Sequence, residues 1–289
     1  MHIILVPAIS GLITYGVIPG FLKLLKIGGA TRSNYRGDIV PIGVGFVFIW
    51  VGCISALLLL LPSLLWSDHF GLLMRPTFLS IIMFGITALG YGFLGLFDDF
   101  VGCRHDTGLR GHGAALRQGR LTSGAVKALV GVAFGMAIAG YRLGVGGSFP
   151  QEWPLLLCID GLLIAAWANT LNLFDLRPGR AGKAFLFSCL VLILAGNPVS
   201  LILLPWIGGL LGYLPFDLRG EAMMGDVGAN ALGALVGLAS CYGLSLSAKS
   251  VLVSGLVFLH ILAELVSFSE LIENHPLLKT LDSWGRKDP

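Results

Sequence analysis

Long apolar runs dominate this sequence and limit the folds that it can adopt. A helix that crosses a bilayer needs about twenty mostly apolar residues, and short polar stretches divide this chain into nine runs of roughly that length. A mean hydropathy of +0.85 and only 12% charged residues support the same interpretation. We therefore predict an all-α polytopic membrane protein, a transmembrane helical bundle of about nine helices. The predicted spans are residues 3–22, 41–64, 77–97, 124–143, 153–171, 182–196, 199–216, 227–246 and 249–269.

Gly196-Asn197-Pro198 leaves only a tight turn between the sixth and seventh spans. A short hairpin that does not fully cross the bilayer is the alternative for these two runs.

Basic residues fall almost entirely in one set of alternating loops. Sixteen of the 19 Lys and Arg residues lie there, and only Arg75, Arg142 and Lys249 remain for the other side. The positive-inside rule makes the rich set cytoplasmic, which predicts the N-terminus outside and the C-terminus in the cytoplasm. The net charge of +3 is small, so the predicted surroundings are the bilayer and no nucleic acid is implied.

Two adjacent carboxylates, Asp98 and Asp99, follow the uncharged run from Thr77 to Phe97. Like charges side by side at a membrane boundary repel each other and are poorly hydrated, so they require compensation. A divalent cation that bridges to phosphate provides it. The alternative is that the pair only marks the polar end of a spanning helix.

Two later loops on the same predicted side also carry carboxylates near helix ends. Asp175 follows the fifth span, and Asp226 lies between Gly225 and Gly228 where the eighth span begins. Backbone N–H groups at that helix start favour a nearby anion, although Gly228, Gly233 and Gly237 also suit close helix packing. Each loop alone is compatible with ordinary solvated charges, but three loops together favour a shared polar site.

The acidic motifs resemble a known family. They read GLFDD at residues 95–99, NTLNLFD at 169–175 and MGDVGA at 224–229, and a weaker match is YRGDIVPIG at 35–43, which includes Arg36. In order and spacing they are similar to cytoplasmic-loop signatures of the polyprenyl-phosphate N-acetylhexosamine-1-phosphate transferases, glycosyltransferase family 4. The chain is identified as a divergent member of that superfamily.

The resemblance implies a Mg²⁺-dependent reaction. A polyprenyl (undecaprenyl) phosphate attacks the β-phosphate of a UDP-linked amino sugar and releases UMP, in cell-envelope glycan synthesis. Asp226 is then the metal ligand, and Asp98 and Asp99 engage the lipid phosphate and assist metal binding or proton removal. Asp175 with Asn172 shapes the diphosphate pocket, and Arg36 of the first loop binds substrate. The implied location is the bacterial inner membrane, with the active site on the cytoplasmic face.

The chain also departs from the family pattern. Pro178 stands where the family usually has an aspartate associated with nucleotide recognition, and the His-rich final loop is missing. Arg177, Arg180 and Lys183 compensate by binding phosphate, or they are only positive-inside charges. His112 contacts phosphate or has a structural role.

The sequence predicts one transmembrane catalytic domain at residues 1–270 and a cytoplasmic amphipathic tail at 271–289. In the tail, Leu277, Leu278, Leu281 and Trp284 recur at helical spacing, so it lies on the inner membrane surface or covers the site. A homodimer is left open. The alternative functions are a transporter or flippase-like scaffold and a non-catalytic relative.

Overall fold

The structure, a computed structural model, describes residues 2–60, 75–102, 108–145, 147 and 149–286. Helices account for most of these residues, and one helix coincides with each predicted span; residues 61–64 of the second span lie outside the described ranges. The helices are α1 (His2–Ile27), α2 (Gly45–Leu57), α3 (Arg75–Val101), α4 (Gly108–Arg117), α5 (Ser123–Gly144), α6 (Trp153–Phe174), α7 (Arg180–Leu194), α8 (Leu204–Leu218), α9 (Gly225–Ser240), α10 (Leu246–Leu265), α11 (Phe268–Asn274) and α12 (Pro276–Ser283). Short 3₁₀ turns at Leu58–Leu60 and Ser200–Leu203 follow α2 and precede α8.

Six helical stretches are long and apolar enough to cross a membrane, which supports the predicted all-α membrane bundle. They are Leu5–Ile27, Phe78–Val101, Ser123–Gly144, Trp153–Phe174, Ser200–Leu218 and Leu246–Leu265. The helices α2, α7 and α9 are shorter, with 13, 15 and 16 residues. At 1.5 Å per residue, α9 extends only about 24 Å, less than the ~30 Å apolar core of a bilayer. The number of full spans therefore stays a prediction.

Helix α9 forms the centre of the bundle and packs against α2, α3, α6 and α7. Its glycines permit this close approach. A Cβ atom on Gly233 would lie 2.2 Å from the carbonyl oxygen of Trp167, and one on Gly237 would lie 2.7 Å from Cα of Ile164. The predicted packing role of the small residues is therefore confirmed.

The first predicted cytoplasmic loop contains a small β-hairpin, which the sequence analysis did not predict. Strands β1 (Thr31–Ser33) and β2 (Ile39–Pro41) pair antiparallel, with Arg32 opposite Val40. The Asn34 side-chain oxygen accepts the backbone N–H groups of Arg36 and Asp38 at 2.8 and 3.0 Å, which closes the turn. The hairpin directs Arg32 toward the start of α9.

Asp160 is fully buried near the start of α6, far along the helix from the end that carries Asn172. Its carboxylate pairs with Arg142 of α5 and with Lys249 of α10, the latter at 2.9 Å. The structure thus pairs this buried carboxylate inside the bundle. Two of the three basic residues assigned to the outer side, Arg142 and Lys249, are therefore partners of one buried acid.

Candidate active site

The end of α3 and the start of α9 meet at Gly95. A Cβ atom there would lie 2.2 Å from the carbonyl oxygen of Asp226, so only glycine allows this approach. Asp98 and Asp99 follow within one turn of α3, and Asp226 is in the first turn of α9. The structure thus brings together three of the carboxylates that the sequence analysis selected.

Lys127 lies between two of these carboxylates. Its Nζ atom pairs with the Asp226 carboxylate and lies 3.4 Å from Oδ2 of Asp98. Asn172, from the last turn of α6, donates to Oδ2 of Asp226 at 3.1 Å. The sequence analysis predicted Asn172 as a site residue but counted Lys127 only as a loop charge. The sequence feature that could have identified Lys127 is its position inside the fourth predicted span, because a charged side chain within a membrane span is unfavourable and often marks a functional site.

Asp99 lies against the start of α9, and its side chain is only 2% exposed. The backbone N–H groups of Asp226 and Val227 face its carboxylate. Arg32 approaches from the hairpin, with an N–O distance of 3.4 Å to Oδ1 and 3.1 Å to the Asp99 carbonyl oxygen. These N–H groups at the start of α9 therefore face the Asp99 carboxylate. Its Oδ2 atom is buried and has no hydrogen-bond partner.

Asp175 follows α6 and is half-buried beside a second carboxylate, Asp217. Burial raises the pKa of Asp175 well above its usual 3.8, and the negative charges of Asp217, Asp226 and Asp99 add to the shift. Asp217 is held in place because it accepts the Gly179 N–H at 2.7 Å. Asp175 therefore lies within the electrostatic field of the cluster, on its α6 side.

The three cations predicted to bind substrate on the loop after α6 already have protein partners. Arg177 pairs with Glu273, Arg180 pairs with Asp282, and Lys183 donates to backbone carbonyls of α12. Their role in substrate binding stays a prediction.

The other two residues predicted to bind substrate, Arg36 and His112, lie on other elements than the loop after α6. Arg36 is exposed at the tip of the hairpin and donates from Nε to the hydroxyl of its neighbour Tyr35 at 2.6 Å. His112 is on α4, and its side chain lies outside the described part of the structure.

An apolar groove of about 240 Å³ opens between α2 and α3 beside the carboxylates. Val227, the residue after Asp226, is one of its lining residues, so the groove lies next to the start of α9. Side chains along it include Phe46, Ile49, Trp50, Leu89 and Phe93.

The protein is thus a helical membrane protein in which carboxylates, cations and one amide meet at one end of the helix bundle. The family model described as glycosyl transferase family 4 matches residues 81–244, more than half of the chain. The chain belongs to glycosyl transferase family 4. The matched region holds all of these groups except Arg32.

Curated relatives agree with this membership. The chain is 27% identical over 244 residues to the phospho-N-acetylmuramoyl-pentapeptide-transferase of Fervidobacterium nodosum, covering 79% of this chain and 69% of the relative. It is 30% identical to the enzyme of the same name from Desulforudis audaxviator over 184 residues (59% and 54%). The Chlamydia trachomatis enzyme is 30% identical over 218 residues (69% and 60%). The chain thus spans between about half and just over two thirds of these relatives' lengths.

Proposed function

We propose that this protein is a phospho-sugar transferase of envelope glycan synthesis. It moves a sugar-1-phosphate from a UDP-linked amino sugar to a polyprenyl phosphate and releases UMP. A phosphate oxygen of the lipid forms a bond to the β-phosphorus, and the bond from that phosphorus to the bridging oxygen of UMP breaks. The proposal extends to this chain what its family and relatives indicate.

One observation carries the proposal: the Asp98, Asp99 and Asp226 carboxylates converge with Lys127 and Arg32. Phosphoryl transfer needs positioning and charge stabilisation more than covalent chemistry from the protein. Alternating carboxylates and cations supply both. The apolar groove beside them suits an acceptor whose isoprenoid tail stays in the bilayer.

The site fits Mg²⁺ as the cofactor. Among the described residues no group of three or more His, Cys, Asp or Glu side chains is arranged to hold a metal. Mg²⁺ in such enzymes commonly takes only one or two carboxylates and completes its shell with water and substrate phosphate. Asp226 and the unpartnered Oδ2 of Asp99 provide two oxygen ligands of this kind. When bound, the ion neutralises charge that develops on the phosphate oxygens.

The other groups of the site bind the substrate phosphates or orient the carboxylates. Lys127 and Arg32 attract the phosphates and offset the repulsion between the carboxylates. Asn172 fixes the orientation of the Asp226 carboxylate through its amide. Asp98, at 21% side-chain exposure the more open acid of the pair, is placed to meet the lipid phosphate.

The proposal includes the topology. With nine spans, an external N-terminus and a cytoplasmic tail, all of these groups lie on the cytoplasmic side of a bacterial inner membrane, where nucleotide sugars are made. The charge asymmetry of the loops supports this orientation.

Purified protein supplied with undecaprenyl phosphate, Mg²⁺ and a panel of UDP-sugars tests the function. We expect Mg²⁺-dependent UMP release and a lipid-linked product with at least one donor. Asp226→Asn and Asp99→Asn are each expected to lower the rate at least about a hundredfold, the scale of losing one well-placed electrostatic group. Absence of turnover with every donor would favour the transporter-like or non-catalytic scaffold. Full turnover in Asp226→Asn would leave the enzyme but refute the site.

A further inference from the structure

We infer that the tail segment, residues 268–286, is a strap that holds the loop 175–179 in its working conformation, with Asp282 as the positioning residue. The inference rests on the proposed function, because this loop carries Asp175. It concerns residues that the acidic motifs of the family do not include.

Asp282 is the centre of the contact. Its two carboxylate oxygens accept from Nε and an NH2 group of Arg180 at 2.8 and 3.1 Å, a bidentate pair. Arg286 donates to the same carboxylate at 3.0 Å and to the carbonyl oxygen of Pro178 at 3.3 Å. The side chains of these three charged residues are at most 10% exposed. Removal of one partner of such a pair costs far more than loss of a solvated surface ion pair, because it leaves a buried charge without compensation.

Lys183 adds a second anchor. Its Nζ donates to the backbone carbonyls of Leu281 and Asp282 at 3.0 and 2.7 Å. These carbonyls belong to the last turn of α12, where helices leave acceptors unpaired and favour a cation. The C-terminal end of α12 therefore docks on the N-terminal turn of α7.

Two contacts hold α11 in the same place. Glu273 pairs with Arg177 at 3.2 Å. The ring of Phe268 lies 6.0 Å, centroid to centroid, from that of Phe174, the residue before Asp175. The tail segment thus touches the loop and both of its flanking helices.

The opposite side of the loop is fixed from within the bundle. The buried Asp217 accepts the Gly179 N–H, and its other oxygen accepts the Tyr213 hydroxyl at 3.0 Å. Gly179 has a φ of +77°, and a Cβ atom there would lie 2.5 Å from the Leu218 side chain. The loop is therefore clamped between Asp217 and the strap, and release of the strap frees one side.

Charge explains why loss of Asp282 should release the tail segment. Arg180, Lys183 and Arg286 lie around Asp282, and Asp217 acts on Lys183 and Arg286 from the other side of the loop. Without Asp282 the repulsion among the three cations is compensated only in part. Arg177, Arg180 and Lys183, which the sequence analysis assigned to substrate phosphate, instead contact the tail segment. Their contribution to catalysis is then indirect, through the position of Asp175.

Hydrogen–deuterium exchange of the full-length protein in detergent tests the strap without any substrate. In Asp282→Asn we expect amide exchange in residues 176–183 to be at least about tenfold faster, the scale of losing charge-assisted hydrogen bonds. The matched control is Glu270→Gln, which removes one negative charge from an exposed position of the same segment. It should leave exchange of the loop unchanged, and Asp282→Glu should restore most of the protection.

Kinetics on the same variants test the positioning role. We expect Asp282→Asn to lower kcat while KM for the lipid acceptor stays unchanged, with partial rescue by Asp282→Glu. If Asp282→Asn does not fold, Arg286→Gln keeps the Arg180 pair and should still accelerate loop exchange. Unchanged exchange in the folded variant overturns the strap, and a higher kcat overturns it in favour of an inhibitory contact. Faster exchange in a protein without any turnover would support the strap while contradicting the proposed function.

Discussion

At the scale of single residues, Lys127 is the group on which the site depends most. Its ammonium lies between the carboxylates of Asp98 and Asp226, and its side chain is only 14% exposed. We expect Lys127→Met to reduce transfer about a hundredfold, because the two acids then repel each other and the phosphates lose a cation. Turnover of lipid-linked product measures this, with the exposed Lys26→Met as control. Equal turnover in both variants would remove Lys127 from the site.

Ionised Asp175 should lower the stability of the folded protein. Its pKa is raised by burial and by neighbouring carboxylates, so the folded protein binds this proton more tightly than the unfolded chain, whose Asp pKa is about 3.9. The stability linked to this proton is complete below that value and is lost as the pH rises toward the folded-state pKa. Asp175→Asn should therefore raise the melting temperature in EDTA, more at pH 8 than at pH 5, while lowering transfer. The exposed Asp38→Asn is the control, and an equal gain at both pH values would contradict the assignment.

At the scale of elements, one buried acid ties three helices together. Asp160 of α6 holds Arg142 of α5 and Lys249 of α10, and Lys249 is one of the two residues of α10 that are buried. An interhelical hydrogen bond in a membrane protein contributes about 0.6 kcal/mol on average. Loss of a buried acid that compensates two cations costs more.

Asp160→Asn is accordingly expected to lower the free energy of unfolding in detergent by about 3 kcal/mol. Lys249→Met should cost clearly less, because Arg142 still compensates the carboxylate. Unfolding measured with a denaturing detergent gives both values. If Lys249→Met lowered the free energy of unfolding more than Asp160→Asn does, the idea that Asp160 compensates both Arg142 and Lys249 would be wrong.

At the scale of the whole molecule, the periodicity of apolar runs predicted the helices, and loop charge placed the acidic motifs at one end. Asn172 and Asp226 meet as the motifs indicated. The sequence did not predict the contact of Arg32 with Asp99, because two three-residue strands joined by a five-residue turn give almost no signal. It also did not predict the contacts of Arg180 and Lys183, since their partner Asp282 lies about one hundred residues away.

Sealed membrane vesicles and a UDP-sugar that cannot cross the bilayer test on which side of the membrane the transfer takes place. Inside-out vesicles that contain this protein, undecaprenyl phosphate and Mg²⁺ should form lipid-linked sugar and release UMP into the medium. Right-side-out vesicles should form product only after permeabilisation, and vesicles with Asp226→Asn should form almost none in either orientation. Product formation in intact right-side-out vesicles would contradict the placement of the carboxylate site on the cytoplasmic face. Absence of product in inside-out vesicles with every donor would contradict the transfer itself.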